Sequence, residues 1–289
     1  MNRFVEGLSD SWRVLRGNHR ALFGFIVLVI YLFTATIGYY IVPLDMNAHY
    51  ADRFKSPSLH HLLGTDYQGR DTFAQLVHGS RQVLVVAFLT ALFATLIALA
   101  VGITAGFLGG KVDAFLMMVV NVFLTLPSFP VMIIFAALIR IKDPISFAAV
   151  LSIWMWAGLA RAIRSQILSL KERDFIEVAQ VMGLPFSHIM SREFMPNIIP
   201  YVALNYINLT RGAILASVGI MFLGLVPLDV TNWGMMLNLA VTQTGAIYVP
   251  YALPYLLSPM FAIILFQYSA ICFSSGLEEM FDPRLRSHA

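Results

Sequence analysis

Residues 83–107, VLVVAFLTALFATLIALAVGITAGF, contain no charged side chain. About 20 mostly apolar residues suffice for a helix to cross the hydrocarbon core of a bilayer. Inside lipid each backbone N–H and C=O needs an internal partner, which leaves helices and closed barrels. A barrel strand alternates apolar and polar residues; this run is continuous, so it is read as a spanning helix. Five other stretches have the same character, at about 21–43, 113–139, 145–169, 200–224 and 250–274. The expected fold class is therefore all-α: a polytopic membrane protein of six transmembrane helices.

Composition agrees. Hydrophobic residues make up 58% of the chain and charged residues only 12%, against about 25% charged in a typical soluble domain. Mean hydropathy is +0.75. The formal charge of +3 is small, and no nucleic-acid partner is expected. Cys272 is the one cysteine, which excludes an intrachain disulfide and suits a small buried apolar residue. Residues 1–20 are polar and precede a run long enough to span, so no cleavable signal peptide is expected. Pro127 and Pro130 interrupt the third run and predict a kink whose freed carbonyls are satisfied by neighbouring helices or water.

Lys and Arg near span ends set the orientation. Arg3, Arg13, Arg16, Arg20, Lys111, Arg161, Arg164, Lys171, Arg173, Arg192, Arg284 and Arg286 fall on one side if six spans are right. The long first loop on the other side balances its cations with Asp45, Asp52, Asp66 and Asp71. Both termini are expected in the cytoplasm. Residues 8–20 mix Trp12, Val14 and Leu15 with arginines, which suits a short interfacial helix or a plain basic tail. The chain divides into a tail with that helix (1–20), a first span and external loop (21–81), and a core of five spans (82–289) holding a polar segment at about 171–200.

That segment, DFIEVAQVMGLPFSHIMSREFMPNIIP (174–200), carries both charge signs between two apolar spans. Ile163, Ile167, Leu170 and Ile176 continue the fourth span at helical spacing. Gly183 suits the position just past a helix end, where φ is positive, and Pro185 suits the first turn of a second helix. Pro196 and Pro200 are expected to end it. The outcome is a compact cytoplasmic knob, with Phe186, Ile189 and Met190 exposed as apolar anchors in a polar rim.

Glu177-x-Ala179-x-x-x-Gly183, followed by Met195-Pro196, resembles the EAA loop of ABC importer permeases. Val178, Glu193 and Met195 stand where that family has Ala, Ile and Leu. LLGTDYQGRDTFAQLVHGSRQVLVV (62–86), GFLGGKVDAFLMMVVNVFLTLPSFP (106–130), FLGLVPLDVTNWGMML (222–237) and DPRLR (282–286) are similar to the C-type permease subunit of dipeptide, oligopeptide and nickel importers. The resemblance runs in order over nearly the whole length. It implies a lipid-embedded half of a pore, completed by a second homologous permease, powered by two ATPase subunits and supplied by an extracytoplasmic solute-binding protein. It also implies that Glu177, Ala179, Gly183, Phe186, Ile189, Met190 and Pro196 form a coupling helix seated in the ATPase, that the membrane is the cell's inner membrane, and that the cargo is a peptide, with oligosaccharides or nickel complexes as the alternatives.

The residues read alone agree with that division of labour. GFLGGKV (106–112) has Val112 after Lys111 and the wrong glycine spacing for a phosphate-binding loop. ATP and Mg are thus expected on the partner ATPases, with no cofactor or metal in this chain. No nucleophile–base set stands out, so no enzyme activity is expected. A self-sufficient channel or secondary carrier is the reading of a different class. Acidic residues are almost absent from the spans, which disfavours it.

Glu177 is placed either to pair with Arg173 four residues back or to meet a basic group of the ATPase. Arg211 falls near the middle of the fifth span, where an arginine costs at least ~2.5 kcal/mol. It is expected to line the translocation path with Asn208 and Asn121, or to pair structurally. Asn121, Asn205 and Asn208 are also suited to hydrogen bonds between helices. Met117, Met118, Met235 and Met236 read as packing or pore gaskets, and His60-His61 as loop residues rather than metal ligands. Asp66, Arg70 and Asp71 are expected to hold the first loop through ion pairs.

Overall fold

A computed structural model describes residues 17–185, 188–226 and 228–281. Helices make up most of the described residues, and no strand occurs among them. Helix α1, His19–Phe33, starts at Asn18, whose side-chain oxygen accepts from the N–H groups of Arg20 and Ala21. It runs on through a π-turn, Thr34–Gly38, to Ile41. The interfacial helix expected over 8–20 falls mostly on residues 1–16, and DPRLR on residues after 281; both lie outside the described residues.

Helix α2, Thr72–Leu108, is 37 residues long, about 55 Å at 1.5 Å per residue. It therefore overhangs a hydrocarbon core of about 30 Å. Asp71 caps it, accepting from Ala74 N at 2.7 Å. Residues 72–81, expected in the external loop, belong to this helix. They are helical here because the polar side chains of Thr72, Gln75 and Ser80 turn inward and are buried.

Next come α3 (Gly110–Thr125), α4 (Ser128–Leu138), α5 (Pro144–Met155), α6 (Ala157–Lys171), α7 (Asp174–Val181), α8 (Met195–Phe222), α9 (Trp233–Thr242) and α10 (Leu253–Phe281). The expected third span is α3 and α4, bent by 85° across Leu126-Pro127, far more than a kink. The expected fourth span is α5 and α6, bent by 54° at Trp156, where no proline stands. Among the described residues three helices are long and apolar enough to cross a membrane, or five if each bent pair is one span. At 28 residues α8 is long enough, but Asn205, Asn208 and Arg211 dilute its apolarity.

Helix α2 is the hub, packed against α5, α6 and α8, while α1 packs on α10. Small residues let these helices approach closely, as in membrane bundles generally. A Cβ on Gly102 of α2 would sit 2.6 Å from the Ala160 carbonyl of α6. A Cβ on Gly276 would collide with Ala21, and Asn18 Nδ2 donates to Glu279 Oε2 at 2.7 Å beside it. Three apolar clusters result. One surrounds Trp233, Tyr255 and Phe266, where α9 adds Met236, buried as packing. A second joins α2, α4, α5 and α8 around Phe147, Leu151 and Met221. The third, around Ile163, Ile167 and Phe194, carries the segment described next.

Candidate functional site

The segment between α6 and α8 stands on a buried foundation. Ile176 and Ala179 of α7, then Ile189, Phe194 and Ile198, pack on Ile163, Ile167 and Leu170 of α6. The Phe194 ring meets that of Phe107 edge-on at 6.1 Å. Lys171 Nζ donates to the Phe107 carbonyl at 2.9 Å. Gly183 has φ +69°, and Leu184 N–H donates back to the Ala179 carbonyl at 3.2 Å. That 6→1 bond and the left-handed glycine form the expected helix stop. The Pro185 carbonyl then accepts from His188 N and Ile189 N at 2.9 and 3.2 Å, so a new turn opens there as expected.

The rest of the segment departs from expectation. Pro196 does not end the second helix: a π-turn, Ile189–Phe194, leads directly into α8, with Pro196 in its first turn and Pro200 inside it. Proline lacks the N–H that an interior helical position would use. Pro196 falls in the first turn of α8, where its missing N–H costs nothing, and Asn197 Nδ2 donates to the Glu193 carbonyl at 2.6 Å beside it. Ile189 is buried at 3% exposure, so it anchors the segment to α6 rather than projecting from it. Met190 is partly buried against the same cluster. Phe186 lies outside the described residues, as does the side chain of Glu177, whose backbone is in α7.

The side chains that do project were missed in the sequence. Phe175, Val178, Val181 and Met182 are 40%, 56%, 83% and 69% exposed. Positions 175, 178 and 182 and positions 176 and 179 are adjoining arcs of one broad apolar face running along α7 and just past its end. One arc is buried against α6, and the adjoining arc, equally apolar, is left exposed. Glu172, Arg173 and Asp174 flank the patch, all exposed. The arrangement is an apolar plug with a charged collar, fixed from behind.

Two polar contacts brace this end of the molecule. Arg164 of α6 holds Asp113 of α3 with both Nε and Nη2. Arg161 Nη2 donates to Asn121 Oδ1 at 2.6 Å. The Asp113 pair was missed, although Gly109-Gly110-x-x-Asp113 was its signal in the sequence.

Arg211 and Asn208 are brought together: Arg211 Nη1 donates to Asn208 Oδ1 at 3.1 Å. Arg211 Nε donates to Gln267 Oε1 at 3.1 Å, and Gln267 Nε2 returns a bond to the Arg211 carbonyl at 2.9 Å. Gln267 was not anticipated; no acid pairs with Arg211 among the described residues. Gly212 lines a cavity of about 490 Å³ with Phe129, Trp154 and Met155. Asn121 belongs to a different one of about 480 Å³, with Met117 and Met118. Asn205 bonds within its own helix, to the Tyr201 carbonyl at 2.9 Å, rather than across helices.

On the opposite side, Asp66 is fully buried. It accepts from Gln68 N, Arg70 N, Arg70 Nε and Gln75 Nε2 at 2.7–3.0 Å. The Asp66–Arg70 pair is thus as expected, whereas Asp71 caps α2 and meets His61 Nδ1 at 2.8 Å. In the same loop the Lys55 ammonium holds the Asp52 carboxyl below its usual range, and the Asn47 backbone N–H does the same for Asp45. No cluster of three metal-ligating side chains occurs among the described residues.

Comparison with known proteins agrees with this architecture. Residues 98–287 match the family described as binding-protein-dependent transport system inner membrane component. Residues 8–57 match the N-terminal TM domain of oligopeptide transport permease C. The dipeptide transport system permease protein DppC of Bacillus subtilis is 29% identical over 281 residues, 96% of this chain and 86% of the relative. The oligopeptide transport system permease proteins OppC of Bacillus subtilis and Haemophilus influenzae are 26% and 28% identical, covering 96% and 98% of this chain and 90% and 91% of theirs. A chain matched over most of its core by that family, with spanning helices in the same region, is a transport permease: it belongs to the inner membrane components of binding-protein-dependent transport systems.

Proposed function

We propose that this chain is one of two permease subunits that together form the pore of an ATP-driven peptide importer. It takes α1, α2, the α3–α4 pair, the α5–α6 pair, α8 and α10 as six spans, with both termini and α7 on the cytoplasmic side. Two ATPase subunits bind ATP and Mg and drive transport; an extracytoplasmic solute-binding protein delivers the peptide. The relatives named for dipeptide and oligopeptide transport support the cargo.

The observation that carries this reading is the plug of Phe175, Val178, Val181 and Met182, apolar and outward on a segment anchored by Ile176, Ile189 and Phe194. Complete burial of one Val or Met side chain is worth about 1.5–3 kcal/mol, so four such groups favour a partner surface. The rigid link behind them runs through α6 and the π-turn into α8, and carries displacement of the plug to Arg211. A two-state pore switched by such a link needs differential contact with the ATPase in its two nucleotide states.

The test is uptake of labelled di- and oligopeptides into proteoliposomes holding the assembled transporter, with ATP hydrolysis measured in parallel. Val178→Asp and Met182→Asp are expected to cut uptake at least tenfold while the permease pair still assembles. Unchanged uptake in both variants overturns the reading.

A further inference from the structure

Arg81 stands apart from the charges used so far. It lies in the tenth position of α2, two residues before the charge-free run 83–107 begins. It is therefore the last charge on the helix before the hydrocarbon. Its guanidinium carbon sits 4.4 Å from the ring centre of Tyr39 and 5.6 Å from that of Tyr40. Paired tyrosines at such a depth mark the membrane–water boundary. An arginine carries five N–H donors. Among the described residues Arg81 makes one hydrogen bond, to Tyr40 Oη at 3.3 Å, and no ion pair. An exposed cation at the hydrocarbon edge without a counter-charge calls for an anion.

Directly below it the surface is hollow. A crevice of about 350 Å³ opens between α1 and α2 with Arg81 at its mouth. Leu32, Leu84 and Phe88 also line a second, apolar cavity of about 230 Å³ that continues to Phe25 and Phe273. From Tyr40 to Phe25 is fifteen residues of helix, about 22 Å, more than half of a core of about 30 Å. The hollow is thus as deep as one leaflet's acyl chain, walled by hydrocarbon and headed by a cation. Arg81, Val85, Phe88, Leu92 and Leu96 form one exposed stripe along α2. Below the arginine that stripe is purely apolar, as a surface facing lipid tails is.

We propose that this crevice is a binding site for one anionic phospholipid of the leaflet on the first-loop side. The guanidinium of Arg81 takes the phosphate oxygens, for which its planar fork is suited, and Tyr39 and Tyr40 hold that fork in place. An acyl chain lies between α1 and α2 against Leu32, Ala35, Leu84 and Val85. A second protein subunit on this face would need an acid opposite Arg81; a lipid supplies charge and hydrocarbon in one molecule.

Native mass spectrometry of the purified, assembled transporter tests this. After stripping in detergent, phosphatidylglycerol or phosphatidylcholine of identical chains is added back. The wild type is expected to retain phosphatidylglycerol over phosphatidylcholine. Arg81→Gln lowers phosphatidylglycerol retention about tenfold and Arg81→Lys restores most of it. Val85→Trp, which fills the crevice and leaves the guanidinium, lowers retention of both lipids. Equal phosphatidylglycerol retention by wild type and Arg81→Gln overturns the proposal. So does a cross-link from Arg81→Cys to the second permease, or failed assembly of both Arg81 variants, since either places a protein on this face. Coupling to the ATPase is read separately and does not depend on this site.

Discussion

Arg164 of α6 and Asp113 of α3 form a two-pronged ion pair between helices that the chain reaches through two sharp bends. It is partly exposed, with 28% and 17% of the two side chains accessible. The pair fixes α3 against the helix on which the plug is built. Charge-assisted hydrogen bonds are worth roughly 1.5–3 kcal/mol when buried, and exposure reduces that here. Asp113→Asn is expected to lower the Tm of the detergent-solubilised complex by a few degrees and to reduce uptake several-fold. The reversed pair, Asp113→Arg with Arg164→Asp, is expected to recover part of both. A reversed pair no better than either single variant would show that the contact is incidental.

Gly183 carries a positive φ, and a Cβ there would meet nothing within 4 Å. Its substitution therefore costs backbone strain alone, about 1–2 kcal/mol. Gly183→Ala is expected to leave expression near normal and shift the plug, so that ATP hydrolysis continues while uptake falls. Gly183→Asn, which tolerates the left-handed region better, is expected to transport more than Gly183→Ala. The ratio of ATP hydrolysed to peptide taken up reads the difference.

Arg211 is held by neutral partners, Gln267 and Asn208, so its charge is not neutralised within its own set of contacts. Arg211→Gln is expected to leave assembly intact and to weaken uptake of peptides with a free C-terminal carboxylate more than that of their amidated forms. An equal loss for both forms would assign Arg211 to packing instead.

Gly102 lies against the Ala160 carbonyl. Any side chain there must force α2 and α6 apart. Gly102→Val is expected to abolish assembly of the complex, seen as loss of the monodisperse peak on size exclusion; a normal elution profile would contradict this close approach.

Much of the architecture is legible in the sequence because lipid enforces long apolar runs, and those of α1, α2 and α10 need no context. Breaks are less so. Pro127 flagged the bend after α3, but nothing of that kind marks Trp156, where the chain turns by 54°. The overhang of α2 is less legible, because Gln75 and Ser80 are polar and only the packing shows them buried. The plug was misassigned for a periodic reason. Hydrogen bonds in a π-turn span five residues where those of an α-helix span four, and the wider turn puts Ile189 on the same buried side as Phe194. A reading at 3.6 residues per turn sends Ile189 outward. Gly183 was identified correctly because its demand is local: a left-handed residue after a helix needs no knowledge of what packs around it.

The most direct test of the central claim is a cysteine cross-link from the plug to the motor. Val181→Cys, 83% exposed in this chain, is introduced with the buried native Cys272 replaced by Ala, and the assembled transporter is labelled with a short thiol-directed photocross-linker and irradiated with and without ATP. The account predicts a covalent adduct between this chain and an ATPase subunit whose yield changes with nucleotide. Free labelling of Val181→Cys by a membrane-impermeant thiol reagent in the intact complex, with no adduct in either nucleotide state, would contradict it.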